Sequence, residues 1–329
     1  MATTTTNADG SKADVVPPFA EHDKLGPLGG KRSLIDDEAE LRRVLVAEFQ
    51  AAADAAREAA GTVDRGAAKA VHAYRKALRR ARAVLTLLGD ALAKSERKAI
   101  CRALREARRA LGTARDHAVA PETVKVLPLG DTEREIATSI IDAARDAMPE
   151  ISEIKQVLAE GAARTAAQVE ALEAALPQTV SWSTVERGVC STYRRARRAR
   201  KDARRSRRAF HSWRRRSKEL SYQLDLLSGY AGMRVAELSR EIDGITDTQG
   251  PAVDLIMLRD FVRTHAGNAD PDAIDNLVAG IETLVDDLIA DSRKAGREAF
   301  SKKPRRFARR LTKAVRRDLA PVIVPDEVD

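Results

Sequence analysis

Cysteine is nearly missing from this chain. Cys101 and Cys190 are the only two among 329 residues, too few for a disulfide framework or a cysteine-rich metal centre, and they suit a reducing cytosol. Aromatic residues reach only 4%, which removes much of the material of β-sandwiches and barrels. No apolar run approaches the roughly 18 residues that a membrane-spanning helix needs, and no apolar segment near the N-terminus reads as a secretory signal. Alternating apolar and polar stretches of useful length are missing as well. What is present is abundant Ala, Leu, Arg and Glu, with 43% hydrophobic residues. That is the composition of a folded, helical protein. The length suits about two domains of ~150 residues each.

The formal net charge is +9, from 58 Lys and Arg against 49 Asp and Glu. This average conceals the distribution. Residues 69–82 carry six basic side chains and no acid, residues 194–218 carry 14 and one acid (Asp202), and residues 293–317 carry 12 and one acid (Glu298). The three stretches together hold +30, so the remainder of the chain holds −21. Intensely basic segments on an acidic scaffold point to an anionic partner.

Residues 1–33, Thr-rich and then punctuated by Pro17, Pro18, Gly26, Pro27, Gly29 and Gly30, read as a disordered tail, and 321–329 as a short C-terminal one. Between them helical periodicity dominates. Helices are expected over about 34–61, 67–88, 91–111, from Arg115 to Pro121 or Pro128, over 131–147, 150–176, 183–208, 210–227, 253–266 and 271–294, and from Pro304 to before Pro321. Gly89 and Gly112 read as stops, and Gly244 with Gly250-Pro251 as a loop region. Pro177 divides the chain into halves, 34–177 and 178–320. The class is all-α.

Residues advance by about 100° along a helix. On that spacing Arg75, Lys76, Arg79, Arg80 and Arg82 fall on the side of His72, while Ala70, Val71, Tyr74, Ala77, Leu78, Ala81, Val84, Leu85 and Leu88 fall opposite. In the second half Arg214, Arg215, Lys218 and Tyr222 share the face of His211, with Phe210, Trp213, Leu220, Leu224 and Leu227 opposite. Both segments spell His-x-x-Arg-x-x-x-(Arg/Lys), 139 residues apart, which is the mark of an internal duplication. Three further stripes follow i, i+3/i+4 spacing: Arg194, Arg197, Arg198, Lys201, Arg205 and Arg208; Lys302, Arg306, Arg309, Lys313 and Arg316; and Lys98, Arg102, Arg105 and Arg109.

Like charges at that spacing repel by a few tenths of a kcal/mol per pair, and an ordinary solvated face relieves this with interspersed Glu. Relief is missing over 194–208, so the stripe weakens its helix unless an anion offsets it. Taken singly, His72 and His211 read as hydrogen-bonding residues between helices. Their shared place in two basic motifs adds phosphate contact. Arg dominates the stripes, and its planar fork takes phosphate oxygens in pairs.

These segments resemble the CHAD family, the conserved-histidine α-helical domain. The resemblance is carried by residues 71–82 and 193–222 with their paired His motifs, by Leu111-Gly112 followed by Arg115-Asp116, by a shorter second copy from Gly244 to Asp247, and by Phe300 with Lys302, Lys303, Pro304, Arg306 and Phe307. It implies two helical bundles of about four main helices each, related by a pseudo-two-fold axis around a basic central cavity that binds inorganic polyphosphate. It also implies association with polyphosphate or storage granules. Expected polyphosphate contacts are the His72 and His211 faces with Tyr222, the three stripes from Arg102 to Arg109, Arg194 to Arg208 and Lys302 to Lys313, and Arg115. Some family members carry a fused triphosphatase domain with Glu-x-Glu-x-Lys on a strand; Glu38, Glu40 and Arg42 in helical context do not form it.

The expected function is therefore non-catalytic polyphosphate binding in the cytoplasm, with granule proteins as further candidate partners and no metal or cofactor. Two other classes stay open. The charge also fits a DNA- or RNA-binding protein, but no helix-turn-helix, zinc or RNA-recognition motif is evident and aromatics for base stacking are scarce, which leaves nucleic acid as a weaker competitor. An accessory domain of phosphoanhydride hydrolysis would draw on Asp116 and Asp247, each better read as a helix cap or an Arg partner.

Overall fold

The computed structural model describes residues 38–126, 129–145, 149–230, 233–267 and 269–319; the expected tails 1–33 and 321–329 lie outside them. Among the described residues every regular element is helical. These are α1 (Glu38–Gly61), a 3-10 turn (Val63–Arg65), α2 (Ala67–Leu88), α3 (Lys94–Arg109), α4 (Gly112–Val126), α5 (Asp131–Ala143), α6 (Ile151–Ala175), α7 (Trp182–Asp202), α8 (Arg207–Ser228), α9 (Met233–His265), α10 (Pro271–Ala299) and α11 (Pro304–Leu319).

In the first half α1 packs along α2 and α6, and α3 closes on α6. In the second, α7 lies between α8 and α11, α8 runs against α9, and α9 against α10. Helix α2 joins the halves by packing on both α7 and α8, and α4 and α5 cross over to α9 and α10. One apolar core runs through both halves, from Leu41 to Val315. The apolar face expected for α2 is buried in it, Tyr74, Leu78, Val84, Leu85 and Leu88 included, each large side chain contributing about 1.5–3 kcal/mol. The α2–α7 crossing is close. A Cβ built on Gly188 falls 2.1 Å from the Leu87 carbonyl oxygen, so only glycine lets these two backbones touch.

Four expectations need correction. Helix α9 runs without a break through Gly244, Gly250 and Pro251. Proline removes the backbone donor that would serve the Asp247 carbonyl and crowds that turn, and the carbonyls on either side accept from neighbouring helices: Arg214 Nη1 donates to Thr246 O at 2.6 Å and Ser292 Oγ to Thr248 O at 3.0 Å. Burial of Ala252, Val253, Leu255 and Ile256 then outweighs the local breaker signal. Helix α4 passes Pro121 and ends at Val126, in keeping with the later of its two expected stops, but it begins at Gly112, the glycine read as a stop, rather than at Arg115; Ala120, Thr123 and Val124 are buried along it. The chain between α7 and α8 breaks at 203–206, because Ser206 in an extended conformation caps α8 by accepting from the Ala209 N–H. Arg205 and Arg208 therefore do not continue the α7 stripe. Finally, α10 reaches Ala299, beyond the expected end at 294.

Candidate functional site

Helices α2 and α8 meet where Gln223 Nε2 donates to the Ala83 carbonyl (3.2 Å) and to Thr86 Oγ1 (3.1 Å), with Arg80 3.6 Å from Asp225. Helix α3 is tied to the end of α2 by Arg97, whose Nη1 donates to Gly89 O at 3.1 Å. Helix α7 is held there by the Gly188 approach. Four helices thus converge, each with a basic edge turned to the others.

The electrostatics of the junction are one-sided. Burial lowers the Arg108 pKa, and Arg79, Arg82, Arg215 and Arg109 lower it further. Burial lowers Arg215, reinforced by Arg216, Arg82 and Arg105 and opposed by Glu219. Burial also lowers Arg195; Glu219 opposes it, and Arg216, Arg82 and Arg97 add to it. Lys218 is pushed down to about 8 by burial and then by Arg214, although Asp247, 3.9 Å away, and Asp243 pull the other way. One carboxylate sits inside the guanidinium group. Burial pushes Glu219 up, but Arg195, Arg82 and Arg216 together hold it below the usual carboxylate range. Its Oε2 accepts from Arg216 Nη1 at 2.8 Å, and its Oε1 lies 3.6 Å from Arg195 Nη2.

The expected contact residues distribute unevenly around this junction. Arg79, Arg82, Arg105, Arg215 and Lys218 are brought together, while Arg109 acts on its chain neighbour Arg108. Lys76 and Arg80 act on Asp225 beside it. His72 is exposed on α2, His211 and Tyr222 are half-buried on α8, and Arg75 is buried at 7% exposure rather than displayed on an open basic face. Arg102 is exposed on α3. Arg214 supports α9 through Thr246. On α7, Arg194, Arg198 and Lys201 are exposed, while Arg197 Nε donates to Phe300 O at 2.9 Å and so caps α10. Arg205 pairs with Asp202 at 3.1 Å in the turn, and Arg208 is exposed at the start of α8. Lys302, Arg306, Arg309 and Lys313 are exposed. Their helix docks through Phe307, stacked on Tyr193 at 3.9 Å, and through Thr312, which donates to Glu186. Tyr193 and Glu186 lie about 160–180° around α7 from Arg195, so α11 occupies the flank of α7 away from the junction. Arg115 and Asp116 lie outside the residues whose side chains are described.

Five residues of the junction lie outside the charge stripes: Arg97, Arg108, Arg195, Arg216 and Glu219. Arg195 sits about 100° around α7 from Arg194, and Arg216 about 140° around α8 from His211. The available signal was the doubled and tripled arginines, Arg194-Arg195 and Arg214-Arg215-Arg216, which place a cation on the hidden side of each helix as well as on the open one.

A family model of the CHAD domain matches residues 47–263. The chain belongs to the CHAD domain family. The matched span opens within α1 and closes near the end of α9, so every helix of the cationic junction lies inside the CHAD region and only α10 and α11 lie beyond it. No curated protein matches the chain. The crystal structure of the CHAD domain from the plant Ricinus communis is similar over 87% of this chain and 95% of its own, with a TM-score of 0.55 and 16% identity, a likeness of CHAD fold alone.

Proposed function

We propose that this CHAD protein binds inorganic polyphosphate, without catalysis, at the junction of α2, α3, α7 and α8, and that it does so in the cytoplasm at polyphosphate or storage granules. The observation that carries this reading is the crowding of guanidinium groups around the buried carboxylate of Glu219. Arginine does not lose its proton in proteins, so the mutual repulsion is relieved by an anion rather than by titration. Polyphosphate supplies one charge per phosphate at close spacing, with oxygen pairs that fit the guanidinium fork. The duplicated His motifs on α2 and α8 suit a linear ligand met from both sides of a pseudo-two-fold arrangement. Nucleic acid is the weaker ligand, because Tyr74, Tyr193, Phe210 and Trp213 are committed to the core and leave bases little to stack on.

The test is calorimetric titration with polyphosphate of defined length across a salt series. The logarithm of the affinity should fall linearly with the logarithm of salt concentration, as counterion release requires. The variant R105E/R215E changes two exposed side chains and should weaken binding by about 100-fold or more at ~0.1 M salt. A folded double variant that binds as wild type overturns the site. Polyphosphate should also displace a DNA oligonucleotide that cannot displace it.

A further inference from the structure

Glu219 is the anomaly of the junction. It is 6% exposed, on the one helix that carries three arginines in a row. Its two oxygens are unequally used: Oε2 accepts a hydrogen bond from Arg216, whereas Oε1 is buried without a hydrogen-bond partner and stands 3.6 Å from Arg195 Nη2. It is also the acid that acts on Arg195, Arg215 and the Cys101 thiol. A buried carboxylate with a free oxygen among arginines is an incomplete counter-charge: it neutralises one cation and leaves the others without an anion.

We propose that Glu219 is an internal stand-in for the anionic ligand, holding Arg195 and Arg216 together in its absence and competing with it for them when it arrives. This rests on the polyphosphate reading of the same site but concerns the apo protein equally. Two consequences follow from reciprocal coupling. Removing the carboxylate charge weakens the unliganded fold, since Arg195 and Arg216 then face each other without a counter-charge. The same removal strengthens anion binding, because the ligand no longer displaces or shares with Glu219. An ordinary structural ion pair behaves differently, since its loss lowers stability and disorders the arginines, and so weakens binding too.

The isosteric variant E219Q separates these outcomes in the full chain. The thermal midpoint without ligand should fall. Polyphosphate affinity should rise about fivefold or more, with the salt slope steeper by roughly one counterion. The variant E219Q/R216Q restores the charge balance and should return both midpoint and affinity close to wild type; it also covers the case in which E219Q alone does not fold. Affinity that is unchanged or lower in folded E219Q overturns the proposal and makes Glu219 a brace. Sodium sulfate serves as the second probe: the E219Q midpoint should climb more steeply with sulfate than that of wild type. If wild type fails to bind polyphosphate while this sulfate difference holds, the polyphosphate reading falls and the role of Glu219 stands. Parallel sulfate curves sink the stand-in role itself.

Discussion

Two arginine clusters in this protein have opposite electrostatic characters. At the α2, α3, α7 and α8 junction, Arg108, Arg195 and Arg215 are all lowered by burial and by neighbouring arginines, Arg82 acting on all three, with Glu219 opposing the shift at Arg195 and Arg215. Where α8 meets α9 and α10, Arg207 is raised by its hydrogen bond to Asp286 and by Glu282, and Arg259 is raised by Asp260 and Glu282 against the effect of burial. Arg207 belongs to the same basic stretch as Arg195 and Arg215. What separates them is the helix each one faces: acidic α10 in one case, another basic helix in the other. A run of arginines therefore does not define a binding surface. The surface is the part of the run in which the arginines outnumber the carboxylates they face.

The contrast breaks most visibly at Arg207. Its Nε donates to Glu282 Oε2 at 2.9 Å, its Nη1 to Asp286 Oδ1 at 2.6 Å, and its Nη2 to Glu282 as well. R207Q should lower stability by about 1–3 kcal/mol, the scale of lost charge-assisted hydrogen bonds with one carboxylate left half-paired, and leave polyphosphate affinity within about twofold of wild type. Chemical denaturation and titration read the two effects separately. A large loss of affinity with little loss of stability would merge the two clusters into one binding surface and end the distinction.

A smaller effect comes from pH. The Lys218 ammonium, held at about 8 by burial and Arg214 against the pull of Asp247 and Asp243, with Arg79 also lowering it, sits below its ordinary lysine value. The unfolded chain binds more protons between those two values, so this group's penalty is fully present below pH 8, and stability rises as pH increases from about 8 toward 10.5. A bound polyanion favours the charged form, so affinity should run the other way, weakening by up to about tenfold between pH 7 and 9, one pKa unit's worth. K218Q should flatten that profile. An equally steep pH profile in K218Q assigns the titration to another group.

Much of this was legible in advance. The all-helical class and the apolar face of α2 follow from periodicity alone, whereas a shared site for Arg79, Arg82, Arg105 and Arg215 on three different helices was implied only by the family resemblance. The remainder depended on tertiary partners. Gly250-Pro251 reads as a loop until Arg214 and Ser292 are seen to take the carbonyls of Thr246 and Thr248. Arg205 and Arg208 read as one stripe with Arg194 until Ser206 starts a new helix between them. Glu219 reads as an isolated acid in a basic run, because nothing local says that Arg195 of the preceding helix will face it across the α7–α8 seam. Local pattern identifies which side of a helix is charged; whether that charge is neutralised depends on a neighbour tens of residues away.

The smallest effect locates the ligand most directly. Cys101 is half-buried on α3; burial raises its thiol pKa, Arg82, Arg97 and Arg105 pull it back down, and Glu219 adds to the rise. It is therefore a chemical reporter set within the junction, while Cys190, buried in the core at 7% exposure, reacts slowly in either state and serves as the internal control. Alkylation proceeds through the thiolate. Polyphosphate bound among Arg82, Arg97 and Arg105 neutralises the cations that favour that thiolate and covers the approach to it, so saturating ligand should slow Cys101 alkylation several-fold at pH 8 without changing Cys190. The same experiment in the presence of R105E/R215E should show no protection. Polyphosphate held instead along α11, on the far flank of α7, leaves Cys101 as reactive as in the free protein, and that result would move the site from the crowded junction to the exposed Lys302–Lys313 stripe even if the measured affinity were unchanged.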